Sequence, residues 1–202
     1  MKTFFSRYSY DFVKMFLNQF ATAVFGFSLA IASLSVMKNK TILLVSSIAA
    51  VIFYLMLNYG VAWKIGYSDR AAVRNGDVKY NPFRGLFVAL MANSVNIILA
   101  VAIAIEFFVG KAGATLLRGI AILLQAMYQG LLAYIQVDGM PLNNQWWVYL
   151  VIIIPVLVAS TLGYIAGYAD FHITSVGIPE LPASDRPSKA EIKERKKQEK
   201  NK

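Results

Sequence analysis

Residues 41–63 of this 202-residue chain read TILLVSSIAAVIFYLMLNYGVAW. The stretch contains no charged residue, and a helix of this length, at about 1.5 Å per residue, crosses a hydrocarbon core of about 30 Å. Its apolar residues do not alternate with polar ones, which excludes a strand of a membrane barrel. A bilayer interior offers no water to the backbone, and a helix satisfies its own N–H and C=O groups there. The stretch therefore predicts a transmembrane α-helix.

Four further apolar stretches of similar length occur along the chain, at residues 17–36, 86–109, 115–136 and 146–168. Hydrophobic residues make up 57% of the chain and charged residues 15%, whereas an ordinary soluble domain is roughly 25% charged. A chain of this length has too little polar structure to bury five apolar helices in a soluble core. We therefore predict an all-α integral membrane protein, in which residues 17–168 form a bundle of five hydrophobic helices and four or five of them span the membrane.

Polar segments lie before and after this transmembrane domain. Residues 1–16 are aromatic and mildly basic, a composition typical of segments that lie along the membrane interface. Residues 169–202 contain several prolines and then a run of charges with almost no apolar residue. Such a segment cannot bury enough apolar surface to offset the entropy lost on ordering, so we predict a polar, largely disordered tail.

A basic loop, residues 64–85, separates the second stretch from the third. Ser68 is placed to cap a short helix with Asp69 in its first turn, and Asn75 with Gly76 is a helix-ending signal. The loop supplies candidate contacts to anionic lipid headgroups, which are Lys64, Arg70, Arg74, Lys79 and Arg84. The simpler interpretation is a solvated loop that only sets the orientation of the chain.

The positions of lysine and arginine predict how the chain crosses the membrane. The basic residues of segments 1–16 and 64–85 place both in the cytoplasm. Residues 137–145 contain no Lys or Arg, which favours an external loop, whereas residues 186–202 are the most basic in the chain. Five crossings would put that basic tail outside. Four crossings, with the fourth stretch re-entrant or lying at the outer surface, would satisfy both observations. We keep the four-crossing and five-crossing models, and we expect the protein to lie in the plasma membrane.

Polar residues within the third and fourth stretches form a candidate intramembrane seam. Its members are Asn93, Asn96, Glu106, Arg118, Gln125, Gln129 and Gln136. On a continuous fourth helix its four members fall within about 40° of one another, at 100° per residue. In an antiparallel hairpin with the third helix, Glu106 lies level with Arg118 and pairs with it, and Asn93 and Asn96 lie level with Gln125 and Gln129. The seam is either a path for an ion or small solute, or a hydrogen-bonded hairpin that holds the bundle together.

The last stretch carries small residues at a spacing of four, namely Ala159, Gly163 and Gly167. This spacing puts them on one helix face, where two backbones can approach closely, and it indicates helix packing or self-association. Pro155 is expected to kink the same helix because it has no N–H to donate.

The residues needed for most enzyme chemistry are missing from the sequence. The chain has no cysteine and a single histidine, His172, and no nucleophile, metal or paired-acid motif occurs. We therefore expect no catalysis, cofactor or metal site. The net charge of +9 is concentrated beside the apolar stretches, which favours anionic headgroups over nucleic acid as partner.

Three functional hypotheses remain for such a chain. The first is an accessory or scaffold subunit that acts through helix packing, the basic loop and the tail, with a membrane-protein partner or a second copy of itself. The second is a subunit of a small-solute or ion transporter or channel, with a polar path between the third and fourth helices. The third is a membrane enzyme whose site the sequence does not display.

Overall fold

A computed structural model describes residues 2–33, 40–109 and 115–171. Its contacts divide the chain into Met1–Asp170 and Phe171–Lys202, and the description below concerns the first unit. The predicted disordered tail, from residue 172 onward, lies outside the described residues. The helices are α1 (Lys2–Ile31), α2 (Lys40–Arg74), α3 (Arg84–Ala92), α4 (Ser94–Phe108), α5 (Thr115–Leu124), α6 (Gln129–Tyr134), α7 (Val148–Val151) and α8 (Ile154–Ala169).

The prediction of a bundle of apolar helices is confirmed. Within the described ranges, three helices are long and apolar enough to cross a membrane: the segment Phe4–Ile31, the segment Thr41–Arg74, and Val148–Ala169, which joins α7 to α8. The number rises to five if α3 with α4, and α5 with the segment that follows it, each make one bent span. Helix α1 continues without a break through residue 16, where a separate interfacial segment was expected to end.

The predicted short helix capped by Ser68 is wrong, because α2 passes straight through this position to Arg74. Its buried face continues at helical spacing through Ile65, Asp69 and Ala72, so packing extends the helix into the predicted loop. The predicted end is confirmed: Gly76 has a φ of 81°, and Asp77 N–H donates to the carbonyl of Ala72 at 2.9 Å. This is the left-handed glycine termination that closes many helices.

Two of the apolar stretches are sharply bent. The third stretch bends by 65° between α3 and α4, at Asn93. The fourth bends by 82° at Gln125, where α5 ends and a single 3₁₀ turn, Ala126–Tyr128, leads into α6. A continuous fourth helix with its polar residues in one line is therefore wrong, because the chain changes direction in the middle of that line.

The remaining elements follow their local sequence signals. Strands β1 (Gln136–Val137) and β2 (Met140–Pro141) form a hairpin whose two turn residues, Asp138 and Gly139, both have positive φ, as a type I′ turn requires. Pro155 lies in the first turn of α8, where a missing N–H costs nothing, and the helical run is interrupted between α7 and α8 as predicted.

One end of the bundle gathers the start of α1, the end of α2, the start of α3 and the end of α8. The Asp69 carboxylate on α2 accepts hydrogen bonds from Tyr8 on α1, Arg84 on α3 and Tyr164 on α8. Because Tyr164 lies near the C-terminal end of α8, that helix finishes at the end of the bundle where α1 begins. We call this the Asp69 end.

Helix α8 packs most extensively against α2. The contact is made through glycines on both helices: a methyl group built on Gly163 would lie 2.6 Å from the carbonyl oxygen of Tyr59, and one on Gly66 would meet the backbone of Tyr164. A methyl group on Gly167 would collide with the backbone of Trp63. The small-residue face predicted on the last stretch is thus covered within the chain itself, by α2.

Candidate functional site

The first buried polar cluster lies at the Asp69 end and consists of Arg7, Tyr8, Asp69, Arg84 and Tyr164; we call it the Asp69 cluster. The Asp69 side chain is 1% exposed and accepts from the Tyr8 hydroxyl at 2.8 Å, the Arg84 guanidinium at 2.8 Å, and the Tyr164 hydroxyl and Arg7 at 3.1 Å. Two cations and two hydroxyls therefore surround one carboxylate, and they tie four helices together.

Arg84 is held on both sides in this cluster. It donates to Asp69 and to the Tyr8 oxygen, and its second terminal nitrogen donates to the carbonyl of Lys79 at 2.7 Å. These bonds use both terminal nitrogens of Arg84 within the protein, where its side chain is 10% exposed, although it also lines an open cavity at this end. Its assignment as a headgroup contact stays a prediction.

The other predicted headgroup residues lie closer to the surface. Lys64, Arg74 and Lys79 are exposed. Arg70 forms an ion pair with Asp170 at 2.9 Å, and both residues, together with Arg74, line an open cavity of about 270 Å³. The basic character of this end is thus retained after the pairing with acids is taken into account.

The second polar cluster surrounds a small internal cavity, which we call the core cavity. Its volume is about 10 Å³, near the lower limit for a single water-sized particle. Its polar lining residues are Gln19, Tyr54, Asn93, Asn96, Gln125 and Tyr128, and the apolar ones include Ile152 and Ile153. The bends at Asn93 and Gln125 and the interruption between α7 and α8 all lie at this cavity.

Side chains from other helices compensate the broken fourth stretch. A bend frees backbone carbonyls from their helical partners, and each buried one needs a donor. Gln19 donates to the carbonyl of Leu124 at 3.3 Å, and Ser47 donates to that of Met127 at 2.6 Å. Gln129 turns back to donate to the carbonyl of residue 122 at 3.4 Å. These bonds explain how an 82° bend is stable without a proline or glycine at the bend.

Four buried oxygen atoms of residues that line the core cavity have no hydrogen-bond partner among the described residues. They are Gln19 Oε1, Asn96 Oδ1, Gln125 Oε1 and the Tyr128 hydroxyl. The amide orientations follow from the hydrogen bonds, because Gln19 donates its NH₂ to Leu124 and Asn96 donates its NH₂ to Asn93 Oδ1 at 3.1 Å. Unsatisfied buried oxygens cost free energy, and four on residues around one cavity would be stabilised by a hydrogen-bond donor or a cation.

The structure brings part of the predicted seam together and separates the rest. Asn93, Asn96 and Gln125 meet at the core cavity, as the predicted register of the third and fourth stretches required. Glu106 and Arg118 are half-buried, but no ion pair between them occurs in the described residues, and Glu106 Oε2 has no partner. Gln136 is exposed on β1, because the chain has turned away at residue 125.

Sequence reasoning missed three residues that line the core cavity: Gln19, Tyr54 and Tyr128. Gln19 was detectable, since it is an amide near the start of the first apolar stretch and a buried polar residue in a membrane helix usually faces protein. Nothing in the sequence singles out Tyr54 or Tyr128 among eleven tyrosines. Asp69 was noticed only as a helix-start residue, because its partners lie 61 and 95 positions away.

Comparison of the chain with protein-family models, with curated proteins and with solved structures finds no match. The function is therefore inferred from the chemistry of the two polar clusters and from the path of the chain.

Proposed function

We propose that the chain is an integral membrane protein of the plasma membrane that crosses it four times. The crossings are α1, α2, α3 with α4, and α7 with α8, and residues 115–134 form a re-entrant element that enters and leaves from the outer face. The observation that supports this is the Asp69 end: α8 finishes where α1 starts, so the number of crossings is even. The basic segments at residues 1–16, 64–85 and 186–202 then all face the cytoplasm, in agreement with the positive-inside rule.

Single-cysteine labelling tests this topology, and the natural absence of cysteine makes the background clean. In right-side-out cells, a membrane-impermeant maleimide is expected to label Asp138→Cys, in the turn of the β-hairpin. It is expected to reach Lys79→Cys and Lys202→Cys only after permeabilisation. Five crossings would reverse the results for positions 138 and 202, while Lys79→Cys serves as the cytoplasmic control in both models.

We further propose that the protein moves an ion or small solute, with the core cavity as its binding point. Irregular backbone at membrane depth is tolerated where it is buried in protein or lines a cavity, and broken helices with a site near the midplane are typical of transporters. Tyr54, on the cavity wall, lies 14 residues from Lys40 and 20 from Arg74, about 21 and about 30 Å along α2. The two bent stretches meeting at this depth are the observation that carries the proposal.

Flux through purified protein in liposomes tests this function. Vesicles of phosphatidylethanolamine and phosphatidylglycerol are prepared with a potassium-diffusion potential, and net ion movement is followed with a voltage-sensitive dye. Osmotic swelling in glycerol or urea measures movement of small neutral solutes. We expect the wild-type protein to accelerate one of these signals and Gln125→Leu to abolish the acceleration, because that change removes a polar group from the cavity wall.

Accumulation of the variant separates function from packing. Gln125→Leu must reach wild-type levels in the membrane and elute as wild type in size-exclusion chromatography for the loss of flux to count. A wild-type protein that accelerates neither signal would contradict the proposal. An accessory role gains less support, since the small-residue face of α8 is already covered by α2.

Anionic lipid headgroups are the partners that we propose for the Asp69 end. An open cavity of about 770 Å³ lies there and is lined by Ser6, Arg7, Lys79 and Arg84, with Asp77 as its acidic member. Arg7 and Arg84 share the Asp69 carboxylate, so three basic side chains stand against two acids, and the exposed Lys79 leaves the wall with a net positive charge of one. Such a wall attracts phosphate headgroups within about a Debye length of the cytoplasmic leaflet.

A further inference from the structure

We propose that the core cavity binds a dehydrated monovalent cation, Na⁺ in preference to K⁺, through the oxygens of Gln19, Asn96, Gln125 and Tyr128. This inference rests on the proposed function, since it names the ion that the binding point holds. Each of the four oxygens is on a side chain that is at least 95% buried, and none has a hydrogen-bond partner in the described structure. All four line the same cavity.

The chemistry of the ligands selects the charge of the ion. Amide and hydroxyl oxygens are hard ligands, which suit alkali and alkaline-earth cations and not the softer transition metals. Divalent cations take six to eight oxygens and usually require carboxylates. None of the described residues that line the cavity is acidic, and the described part of the chain contains no cluster of acids and histidines that could hold a metal ion. Neutral oxygens can compensate the desolvation of one charge but not of two.

The size of the cavity selects among monovalent ions. A volume of about 10 Å³ is barely enough for one water-sized particle, so the ion must shed its hydration shell, and the four oxygens replace it. K⁺ is about as large as a water molecule and therefore lies at the limit of this volume, whereas the smaller Na⁺ and Li⁺ fit within it. We therefore assign the site to Na⁺ in preference to K⁺, with Li⁺ as its substitute.

The ligands are held in place by bonds that do not involve the ion. Gln19 and Asn96 each use their NH₂ group on a carbonyl oxygen, which fixes the orientation of each amide and leaves its own oxygen without a partner. Asn93 Oδ1, which anchors Asn96, also accepts from the Tyr54 hydroxyl at 3.5 Å. The ligands come from α1, from α4 and from both sides of the bend in the fourth stretch, so a bound ion would join three chain segments.

Thermal unfolding of the purified full-length protein in detergent tests the proposal. The midpoint temperature is measured over a series of NaCl concentrations, with choline chloride added to keep ionic strength constant, and again with LiCl and KCl. A ligand that binds only the folded state raises stability by an equal step for each tenfold increase above its dissociation constant. We expect such steps with Na⁺ and Li⁺, and steps that begin at an at least tenfold higher concentration with K⁺.

Variants of the cavity separate a cation site from general salt effects. Tyr128→Phe and Gln125→Leu each remove one ligand. Each should raise at least tenfold the Na⁺ concentration at which stabilisation begins. Ser160→Ala is the matched control, because the Ser160 hydroxyl is also fully buried and unpartnered but does not line the cavity. It should keep the full Na⁺ dependence. If the cavity holds only a water molecule, the unfolding midpoint should be the same in NaCl, LiCl, KCl and choline chloride. That result would overturn the proposal.

The two proposals fail in different ways. Na⁺-dependent stabilisation without any flux in liposomes would retain the cation site and reject translocation. Flux that is indifferent to Na⁺, in a protein that Na⁺ does not stabilise, would retain translocation and reject the cation site.

Discussion

Replacement of Asp69 by alanine is expected to lower the free energy of unfolding by about 3–5 kcal/mol, the range for removing one partner of a buried ion pair. The carboxylate is the common acceptor for Tyr8, Tyr164 and two guanidinium groups. Its removal leaves the cation of Arg84 buried beside a second cation, and leaves two tyrosine hydroxyls without their acceptor. Arg7, whose side chain is 35% exposed, can turn to water, so the cost falls mainly on the buried Arg84 and Tyr164.

Chemical or thermal unfolding in detergent, followed by circular dichroism, measures this effect. Asp77→Ala is the matched control: it removes an acid of the same type three residues beyond the end of α2, where the side chain is exposed. Its effect should stay within about 0.5 kcal/mol, as for other surface substitutions. Asp69→Asn should lie between the two, since the amide keeps one acceptor oxygen but not the charge. Equal stability of Asp69→Ala and Asp77→Ala would show that the Asp69 cluster does not hold the helices together.

The second large effect is expected from added bulk between α2 and α8. Gly66→Ala and Gly163→Ala should each cost about 3 kcal/mol, the upper part of the range for overpacking. The new methyl group would meet backbone atoms of the opposite helix, and in Gly163→Ala the nearest is the Tyr59 carbonyl oxygen at 2.6 Å. A side chain could rotate away from such a contact, whereas a helix backbone must move as a whole.

Gly60, which lies on α2 like Gly66, provides the control for this experiment. A methyl group there would have no atom within 4 Å, and Gly60→Ala should stabilise the helix by up to about 1 kcal/mol through helix propensity. The midpoint of thermal unfolding should therefore move in opposite directions for positions 60 and 66, only six residues apart. A fall of similar size at both positions would mean that the close approach of α2 and α8 is not the cause.

The helical, apolar nature of the fold was predictable because it depends on composition and on run length alone. Helix ends with strong local signals were also predictable: Gly76 ends α2, and Pro155 marks the start of α8. The bends at Asn93 and Gln125 were not. Neither has proline or glycine at the bend. The bend at Gln125 depends on Ser47 and Gln19 from distant helices, which no local window of sequence contains. At the other bend the Asn93 side chain itself donates to the carbonyl of Ala89 at 2.9 Å.

The contacts at the candidate sites were likewise predictable only in part. The register of the third and fourth stretches placed Asn93 and Asn96 near Gln125, which the structure bears out at the core cavity. The same hairpin predicted that Glu106 would pair with Arg118. Both residues lie between the two bends, in α4 and α5, yet no ion pair joins them in the described residues. Asp69 shows the opposite error: Ser68 and Asp69 resemble a local cap, but a carboxylate that binds tyrosines on α1 and α8 is recognised only in three dimensions.

The extensive contact between α2 and α8 also determines when the bundle can be completed during synthesis of the chain. The ribosome completes α2 about 80 residues before it starts α8, so the glycine face of α2 and the Asp69 carboxylate wait in the nascent chain without their last partners. In general, membrane helices first insert separately and then pack against one another. For this chain, the last helix to be made completes the bundle. A nascent chain that stalls or ends before α8 would therefore not form the contact between α2 and α8.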